Sequence, residues 1–244
     1  MPTLFISDLH LTEARPEVTD ALCRLLRETA PGSRALYILG DLFDAYIGDD
    51  DDAALLTWVA AALRTLSRHG VPIYFVHGNR DFLLGNAFAE RAGLRLLDIH
   101  TRLNLYGVPT LLLHGDTLCT DDTAYQQWRA QCRQSAWQND FLAQPLPVRR
   151  QFALTARAES ARHTQALEPT ITDVNPVAVQ STFVGTEVQR MIHGHTHRPA
   201  IHPPQPVAGS LRQRIVLGDW DRHGSVLRVA ADGLVLDQLP FAVS

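Results

Sequence analysis

Five short motifs in this chain combine aspartate, asparagine and histidine, whose oxygen and nitrogen atoms are common ligands of divalent metal ions. Each motif directly follows a short apolar run: Asp8-Leu9-His10, Gly40-Asp41, Gly78-Asn79-Arg80-Asp81, His114-Gly115-Asp116 and Gly194-His195-Thr196-His197. Apolar runs of this length are typical of buried strands, and ligands at the carboxyl ends of neighbouring strands meet at one edge of a sheet. Seven side chains are the predicted metal ligands: Asp8, His10, Asp41, Asn79, His114, His195 and His197.

The spacing within the motifs favours a dinuclear site. One residue separates Asp8 from His10, so at an extended strand end both side chains lie on the same side. The same alternation relates His195 to His197. Asp41 has two carboxylate oxygens and is predicted to bridge two ions, which together would support hydrolysis of a phosphoester or phosphoanhydride. A single aspartate after a strand is usually a turn or a helix cap, but the complete set predicts a metal site.

The elements that position these motifs alternate between strands and helices, which predicts an α/β core of packed layers. Strands are predicted at residues 4–7, 35–39, 73–76, 94–97 and 110–113. Helices are predicted from Pro16 onward, over the apolar stretch 53–66, and near residues 82–91. The acidic run at residues 49–52 precedes the second helix and is predicted to face its positive end as a solvated cap.

The pattern changes after Asp121. No strand-like run occurs between residues 121 and 167, and two helical patterns separated by Pro145 and Pro147 predict a helical insertion. The predicted elements that follow are a helix near residues 175–184, strands near 189–192, 215–217, 226–229 and 234–239, and a turn at 203–206. Residues 1–244 are therefore predicted to form a single domain with an insertion at 121–167.

Composition excludes several classes of protein. The 244 residues are 45% hydrophobic and 20% charged, which is typical of a globular protein with a sizeable core. A net charge of −4 provides no basic field, so no nucleic-acid partner is expected. Three cysteines without Cys-x-x-Cys spacing indicate neither a disulfide framework nor a thiolate zinc site, and a reducing, cytoplasmic setting is expected.

The sequence also predicts that any membrane contact is peripheral. The first apolar run leads directly into Asp8 and leaves no room for a signal peptide. The most apolar helical stretch, residues 53–66, is shorter than the roughly 20 apolar residues that a bilayer span needs.

The five motifs, in this order, resemble those of the calcineurin-like metallophosphoesterase superfamily, whose fold is a β-sandwich flanked by helices. The residues around the ligands narrow the resemblance to the UDP-2,3-diacylglucosamine hydrolase family of lipid A biosynthesis. The resemblance extends from residue 3 to about residue 220. The segments that carry it are Gly40-Asp41-Leu42-Phe43-Asp44, Gly78-Asn79-Arg80-Asp81-Phe82, Leu113-His114-Gly115-Asp116, Thr172-Asp173-Val174-Asn175 and Ile192-His193-Gly194-His195-Thr196-His197-Arg198-Pro199.

This resemblance implies a pyrophosphohydrolase that uses two divalent metal ions, with Mn²⁺ expected. Water is expected to attack the α-phosphorus of UDP-2,3-diacylglucosamine and to release UMP and 2,3-diacylglucosamine 1-phosphate. The expected catalytic residues are Arg80, Asp41 and His195. One ion is expected to bind Asp8, His10, Asp41 and His197. The other is expected to bind Asp41, Asn79, His114 and His195.

Arg80 stands where most of the superfamily has the histidine of Gly-Asn-His. A histidine can protonate an alkoxide leaving group, whereas a guanidinium stays protonated and is a poor acid. A phosphate leaving group needs charge stabilisation rather than a proton. Arg80 therefore favours cleavage of a pyrophosphate over cleavage of an alkyl phosphodiester. The alternative interpretation is that Arg80 only holds a phosphate.

The insertion is predicted to form a cap over a lipid substrate, because an acylated sugar nucleotide must shelter its chains. Its apolar residues include Trp128, Phe141, Phe152 and Leu154. The alternative is that these helices only pack on the core. The resemblance implies substrate contacts from Asn79, Arg80, Asp122, Arg157, Ser160, Thr164 and His195. Thr164 and Leu167 replace the asparagine and lysine usual in the family. A lipid substrate implies peripheral contact with the cytoplasmic face of the inner membrane.

Two alternative functions remain open at this point. The first is another dinuclear phosphoesterase, such as a dinucleoside polyphosphate hydrolase or a nucleotide phosphodiesterase, which product analysis would distinguish. The second is a catalytically inactive scaffold with the same fold. Scaffolds of this kind typically lose metal ligands, and this chain retains the whole predicted set.

Overall fold

The computed structural model describes residues 1–168 and 170–241, except for the side chains of Thr164 and Ala166. The strands in this part are β1 (Thr3–Ile6), β2 (Ala35–Ile38), β3 (Ile73–Phe75), β4 (Leu94–Leu96), β5 (Thr101–Leu105), β6 (Val108–Leu112), β7 (Arg190–His193), β8 (Ala200–Ile201), β9 (Gln205–Val207), β10 (Ser210–Val216), β11 (His223–Ala230) and β12 (Gly233–Pro240). The α-helices are α1 (Pro16–Arg24), α2 (Ala54–Arg68), α3 (Asn86–Ala92), α4 (Thr123–Cys132), α5 (Ser135–Leu142), α6 (Leu146–Ala166) and α7 (Pro176–Thr186).

The strands form two sheets. The first has the order β12-β11-β1-β2-β3-β4, and β1 to β4 run parallel in it. The second has the order β5-β6-β7-β10-β8, with β9 paired to β10, and its central strands β6, β7 and β10 are also parallel. The predicted α/β fold with a β-sandwich flanked by helices is confirmed.

Three apolar clusters hold these layers together. Phe5 and Leu39 from the first sheet and Ile192 and Ile215 from the second share one cluster between the sheets. A larger cluster joins the other face of the first sheet to α1, α2 and α3. A third, which includes Phe183 of α7 and Met191 of β7, covers the outer face of the second sheet. Burial on both faces explains why the strands read as continuous apolar runs.

Most predicted elements are confirmed, but three differ. The helix predicted near residues 82–91 begins at Asn86, because Asp49 accepts hydrogen bonds from the backbone N–H groups of Gly85, Ala87 and Phe88 and caps the helix there. The turn predicted at 203–206 is partly wrong, since β9 begins at Gln205. Strand β5 was not predicted; it forms an antiparallel hairpin with β6, and its alternating exposed positions gave it no apolar run.

The insertion contains three helices rather than two. The break between α5 and α6 precedes Leu146, and a second break at Arg133 and Gln134 separates α4 from α5. None of the helices in the described ranges is long and apolar enough to cross a membrane.

The acidic run at residues 49–52 does not serve mainly as the predicted cap of α2. Asp50 pairs with Arg149 of α6, and Asp51 and Asp52 pair with Arg150. Asp49 instead caps α3, as described above, while α2 receives only one contact, from Ala53 N to Asp51 Oδ1 at 3.3 Å. The run therefore connects the insertion to the core.

Candidate dinuclear metal site

The predicted metal ligands converge at the carboxyl-terminal edge of the two sheets. Asp8, Asp41 and Asn79 follow β1, β2 and β3, and His114 and His195 follow β6 and β7. Each lies within four residues of the end of its strand. Parallel strands place these loops on one side of the molecule, so residues far apart in sequence become neighbours.

The backbone at this edge is strained at five of the seven predicted ligands. Their φ angles are positive: 55° at Asp8, 48° at His10, 53° at Asp41, 70° at His195 and 55° at His197. Residues other than glycine rarely adopt this left-handed conformation, and such outliers cluster at functional sites. The strain turns each side chain out of the regular alternation of a strand and toward its neighbours.

Glycines in the same motifs allow the loops to approach closely. A Cβ atom on Gly40 would lie 2.5 Å from the Cα of Gly78 and 2.6 Å from Nδ1 of His114. One on Gly78 would collide with the backbone and carboxylate of Asp41, and one on Gly194 would collide with Asp8. These glycines therefore allow the loops that carry the predicted ligands to pack against one another.

The first group of ligand atoms comprises Asp8, His10 and His197, which lie within 4.8 Å of one another. Nε2 of His10 lies 3.3 Å from Nε2 of His197, and Nε2 of His197 lies 3.5 Å from Oδ1 of Asp8. Oδ2 of Asp41 approaches His10 Nε2 at 3.8 Å. Asp41 therefore adjoins this group.

The second group comprises Asp8, Asp41 and His114, all of them buried. Nε2 of His114 lies 2.9 Å from Oδ1 of Asn79 and 3.7 Å from Oδ1 of Asp41. The ring of His195 lies 5.0 Å from the ring of His114, centroid to centroid. The structure thus brings all seven predicted ligands to one place.

These donors fit divalent cations. Oδ1 of Asp8 is buried and has no hydrogen-bond partner among the described residues. Its other oxygen accepts hydrogen bonds from Ser7 Oγ at 2.6 Å and from the backbone N–H of His195 at 2.9 Å. A buried carboxylate oxygen left unpaired beside imidazole nitrogens is costly unless a cation binds it. Oxygen and imidazole ligands without thiolate suit Mn²⁺, iron or Zn²⁺.

Burial and neighbouring charged groups shift the pKa values of several predicted ligands. Burial lowers the pKa of His10 and of His195 to about 3, so both rings are neutral and offer a lone pair at neutral pH. Burial also favours neutral His197, but the neighbouring carboxylate of Asp8 outweighs this and raises the pKa of His197 to about 9. Burial raises the pKa of Asp41. Divalent cations would relieve the cost of two neighbouring buried carboxylates.

Residues next to the ligands hold them in place. His114 Nδ1 lies 2.8 Å from the carbonyl oxygen of Leu39, to which it can donate, so that Nε2 is left to face the site. Asp81 accepts hydrogen bonds from the backbone N–H groups of Leu42 and Gly78 and ties two ligand loops together. Asp116 binds α4, accepting from Tyr125 Oη at 2.8 Å and from Arg129 Nε at 2.6 Å.

Three predicted substrate-binding residues, Arg80, Arg157 and Ser160, contact one another, a predicted metal ligand or a neighbour of one. The backbone N–H of Arg80 donates to Asp41 at 2.8 Å, and its Nη2 donates to Ser160 Oγ at 3.0 Å. Arg157, on the same face of α6, binds both carboxylate oxygens of Asp44. Asp44 in turn lies 3.8 Å from Nδ1 of His10.

Asp122 and Thr164 have different outcomes. Asp122 caps α4 through the N–H of Tyr125 and lies 3.0 Å from Nε2 of His163, so in this structure its carboxylate already has partners within the insertion. The side chain of Thr164 lies outside the described residues.

Sequence reasoning missed three residues beside the ligands. Asp44 contacts His10, and Asp219 lies 3.5 Å from Nδ1 of His197. Tyr125 places its ring 5.9 Å from the ring of His195. Asp219 could have been predicted from the sequence, because it follows β10 in the same strand-glycine-aspartate pattern in which Asp41 follows β2. Tyr125 gave no such signal, since only the fold brings α4 to β7.

Comparison with known proteins agrees with this geometry. Residues 1–199 match the calcineurin-like phosphoesterase family, and the fold is that of a metallophosphoesterase, a class whose members bind divalent metal ions. A solved archaeal phosphodiesterase, 11% identical, has the same fold with a TM-score of 0.50 over 98% of this chain and 100% of its own.

Two closer relatives are named UDP-2,3-diacylglucosamine hydrolase. The protein from Xanthomonas campestris pv. campestris is 56% identical, and the match covers 98% of this chain and 99% of the relative. The protein from Stenotrophomonas maltophilia shows the same identity and coverage. The chain belongs to the UDP-2,3-diacylglucosamine hydrolase family.

Proposed function

We propose that this protein hydrolyses the pyrophosphate of UDP-2,3-diacylglucosamine and releases UMP and 2,3-diacylglucosamine 1-phosphate. The substrate is suggested by the name of relatives that are 56% identical over nearly the full chain. The observation that carries the reaction type is the position of Arg80, whose backbone donates to Asp41 while its guanidinium reaches α6. A permanent positive charge beside the metal ligands suits a phosphate leaving group.

Two Mn²⁺ ions are proposed as cofactors. The donors of the first are Asp8, His10, Asp41 and His197, and the donors of the second are Asp41, Asn79, His114 and His195. When bound, the ions polarise phosphate oxygens and acidify a water molecule for attack on the α-phosphorus. Donors of both ions lie within a few ångströms of Asp41, which supports a bridging role for its carboxylate.

Side chains beside the proposed metal site have further roles in this proposal. Arg80 stabilises the charge that develops on the departing sugar phosphate, and Ser160 holds one of its guanidinium nitrogens in place. His195 is neutral at physiological pH and is held by the hydrogen bond from its own backbone N–H to Asp8. Arg157 fixes Asp44 beside His10, so α6 contributes to both the substrate and the metal side.

We also propose that the insertion at 121–167 shelters the acyl chains. Trp128, Trp137, Phe141 and Phe152 form an aromatic cluster with ring centroids 5.1 to 6.2 Å apart. Phe141 is buried against the core, but Trp128 and Phe152 are 36% and 40% exposed. The insertion thus packs on the core and still presents apolar surface, which supports contact with lipid.

The reaction is tested by hydrolysis in H₂¹⁸O. The Mn²⁺-loaded protein is incubated with UDP-2,3-diacylglucosamine, and the products are analysed by mass spectrometry. Attack on the α-phosphorus predicts that ¹⁸O appears in UMP and that the sugar phosphate stays unlabelled. Label in the sugar phosphate contradicts the attack site. Absence of lipid-substrate cleavage, with cleavage of soluble dinucleoside polyphosphates, contradicts the proposed substrate.

Peripheral contact with the inner membrane is proposed because the insertion exposes apolar side chains. Leu154 on α6 is 66% exposed, and Leu142 and Val148 nearby in the chain are 38% and 49% exposed. Leu154→Glu is expected to reduce sedimentation of the protein with vesicles of bacterial lipid. Val177→Glu is the matched control, since Val177 is 69% exposed on α7, outside the insertion. Equal loss in both variants contradicts a role for this surface.

A further inference from the structure

A pocket of about 350 Å³ has as a lining residue Arg198, the next residue after the predicted ligand His197, and the chemistry described so far does not use this pocket. Its lining residues are Asp173, Arg198, Pro199, Ala200, His202 and Arg214. Arg198 directly follows the ligand His197, and Asp173 belongs to the Thr172-Asp173-Val174-Asn175 motif. The pocket therefore joins the segment that carries His195 and His197 to the Thr172-Asp173-Val174-Asn175 segment, which supplies no metal ligand.

The fold places this pocket on the outer face of the second sheet. Ile215 of β10 points into the core between the sheets, so its neighbour Arg214 points outward. His202 follows the short strand β8, which pairs with β10. Asp173 lies in the loop between α6 and α7 and forms an ion pair with Arg198. Three separate segments thus contribute to one concave surface.

The pocket is positively charged. Arg198 forms an ion pair with Asp173 and a hydrogen bond to Thr172 at 3.2 Å. Arg214 is partly buried, and among the described residues its one hydrogen-bond partner is Nε2 of His193 at 3.3 Å. A guanidinium has five N–H donors, so Arg214 keeps donors for a ligand. Two guanidiniums against one carboxylate favour a ligand rich in acceptor oxygens.

The size and chemistry of the pocket suit a nucleotide better than an acyl chain. A cavity of about 350 Å³ is at the lower end of the range for small-molecule sites. Uracil presents two carbonyl oxygens, which guanidinium groups can bind. Its imide N–H and the ribose hydroxyls can donate to a carboxylate such as Asp173, one of whose oxygens accepts the N–H of Val174 at 2.7 Å.

The lining residues of the pocket all lie outside the insertion at 121–167, which is proposed to shelter the acyl chains. Arg80 contacts Asp41 and α6, whereas the pocket begins one residue after His197. A UDP-sugar has two halves joined at the pyrophosphate, and the insertion accounts for the acylated half. We propose that the Arg198–Arg214 pocket binds the nucleotide half of the substrate. This inference rests on the proposed function.

The test is calorimetric binding of UMP to the full-length, Mn²⁺-loaded protein, which needs no turnover. Arg214→Gln removes the charge and is expected to weaken UMP binding about tenfold, the effect of losing one charge-assisted hydrogen bond. Binding of 2,3-diacylglucosamine 1-phosphate is expected to be unchanged. Arg102→Gln is the control, since it removes an exposed positive charge on β5.

Because Arg214→Gln also removes the contact between Arg214 and His193, a second variant changes the pocket at a different residue. His202→Trp narrows the pocket without altering that contact, and it is expected to weaken UMP binding by a similar factor with unchanged metal content and melting temperature. For both variants, kinetics with the lipid substrate are expected to show a raised KM and a nearly unchanged kcat.

Two outcomes overturn the inference. One is UMP affinity that stays at the wild-type value in both pocket variants. The other is equal weakening of inorganic phosphate and UMP by Arg214→Gln, which indicates a general anion site rather than a nucleotide site. Failure of the wild-type protein to cleave the lipid substrate contradicts the proposed function instead. The UMP binding measurement needs no turnover, so it still tests the pocket in that case.

Discussion

The ligand-bearing edge and the helical insertion are built in different ways. At the edge, short motifs set the geometry through positive φ angles, close glycine contacts and backbone hydrogen bonds. The insertion is tied to the core by side-chain ion pairs between residues far apart in sequence. Arg149 and Asp50 are 99 positions apart, and Arg157 and Asp44 are 113 apart. Local backbone geometry therefore shapes each ligand loop, whereas the attachment of the insertion depends on charged side chains that pair with distant residues.

Because of this difference, substitutions in the two regions are expected to have different effects on activity. Three of the predicted ligands, Asp8, Asp41 and His114, are buried. The loops that carry the ligands are packed too closely to adjust, so changes there should remove the chemistry. The insertion is more exposed and has alternative solvated states for its charged side chains. Changes there should reduce binding and selectivity for the lipid while leaving the metal site able to hydrolyse small phosphoesters.

The largest effect is expected from Asp41→Asn. Loss of the carboxylate that is proposed to bridge the two ions should lower hydrolysis of UDP-2,3-diacylglucosamine by at least about 10³-fold, more than loss of one active-site hydrogen-bond donor. The metal-free variant should melt at the wild-type temperature or above it, because a buried carboxylate beside Asp8 has been neutralised.

Metal-induced stabilisation is the accompanying measurement. Adding Mn²⁺ should raise the melting temperature of the wild-type protein and raise that of Asp41→Asn much less. A fully active Asp41→Asn variant would contradict the bridging role. A variant that unfolds without metal would contradict the claim that this carboxylate serves chemistry at the expense of stability.

Gly78→Ala tests whether the edge is as closely packed as the structure indicates. The added methyl group would collide with Asp41 and displace it, and a shift of about 1 Å at a reacting group costs on the order of 100-fold in rate. Gly32→Ala is the matched control, since a Cβ atom there meets no atom within 4 Å. Similar kcat values for the two variants would show that the ligand loops can adjust.

Arg149→Leu tests the attachment of the insertion. Arg149 is buried and donates to the carbonyl oxygen of Ile47 at 2.6 Å and to that of Gln144 at 2.9 Å. Leaving these acceptors unpaired should lower the free energy of unfolding by about 1–3 kcal/mol. Activity on the lipid should fall more than activity on bis-p-nitrophenyl phosphate.

The comparison variant for Arg149→Leu is Arg150→Gln. Arg150 is 45% exposed and pairs with Asp51 and Asp52 at the surface, so its loss should cost less than about 1 kcal/mol and depend on salt. If both variants reduce the two activities in the same proportion, the insertion does not distinguish lipid from small substrates.

The smallest effect is expected from Ser160→Ala. Its hydroxyl accepts one hydrogen bond from Arg80, so the loss should lower kcat/KM by about three- to tenfold, equivalent to one hydrogen bond. Ser181→Ala, an exposed position on α7, should have no effect. A loss as large as that of Asp41→Asn would indicate that Ser160 does more than hold Arg80.

The same contrast explains what the sequence could predict. The ligands were predictable because Asp41 and His195 each follow a short apolar strand within a few residues, and parallel strands bring such positions together. Strand β5 was not, because its alternating exposure leaves no apolar run. The acidic run was misread as a cap because its partners Arg149 and Arg150 lie about a hundred residues away.

The most direct test of the central claim is anomalous diffraction from crystals of the Mn²⁺-loaded protein. The account predicts two manganese peaks per chain, one contacted by Asp8, His10 and His197, the other by Asn79, His114 and His195, with Asp41 touching both. In Asp41→Asn crystals, at least one peak should be lost or strongly reduced. A single peak in the wild-type protein, or two full peaks in the variant, would contradict a dinuclear site bridged by Asp41.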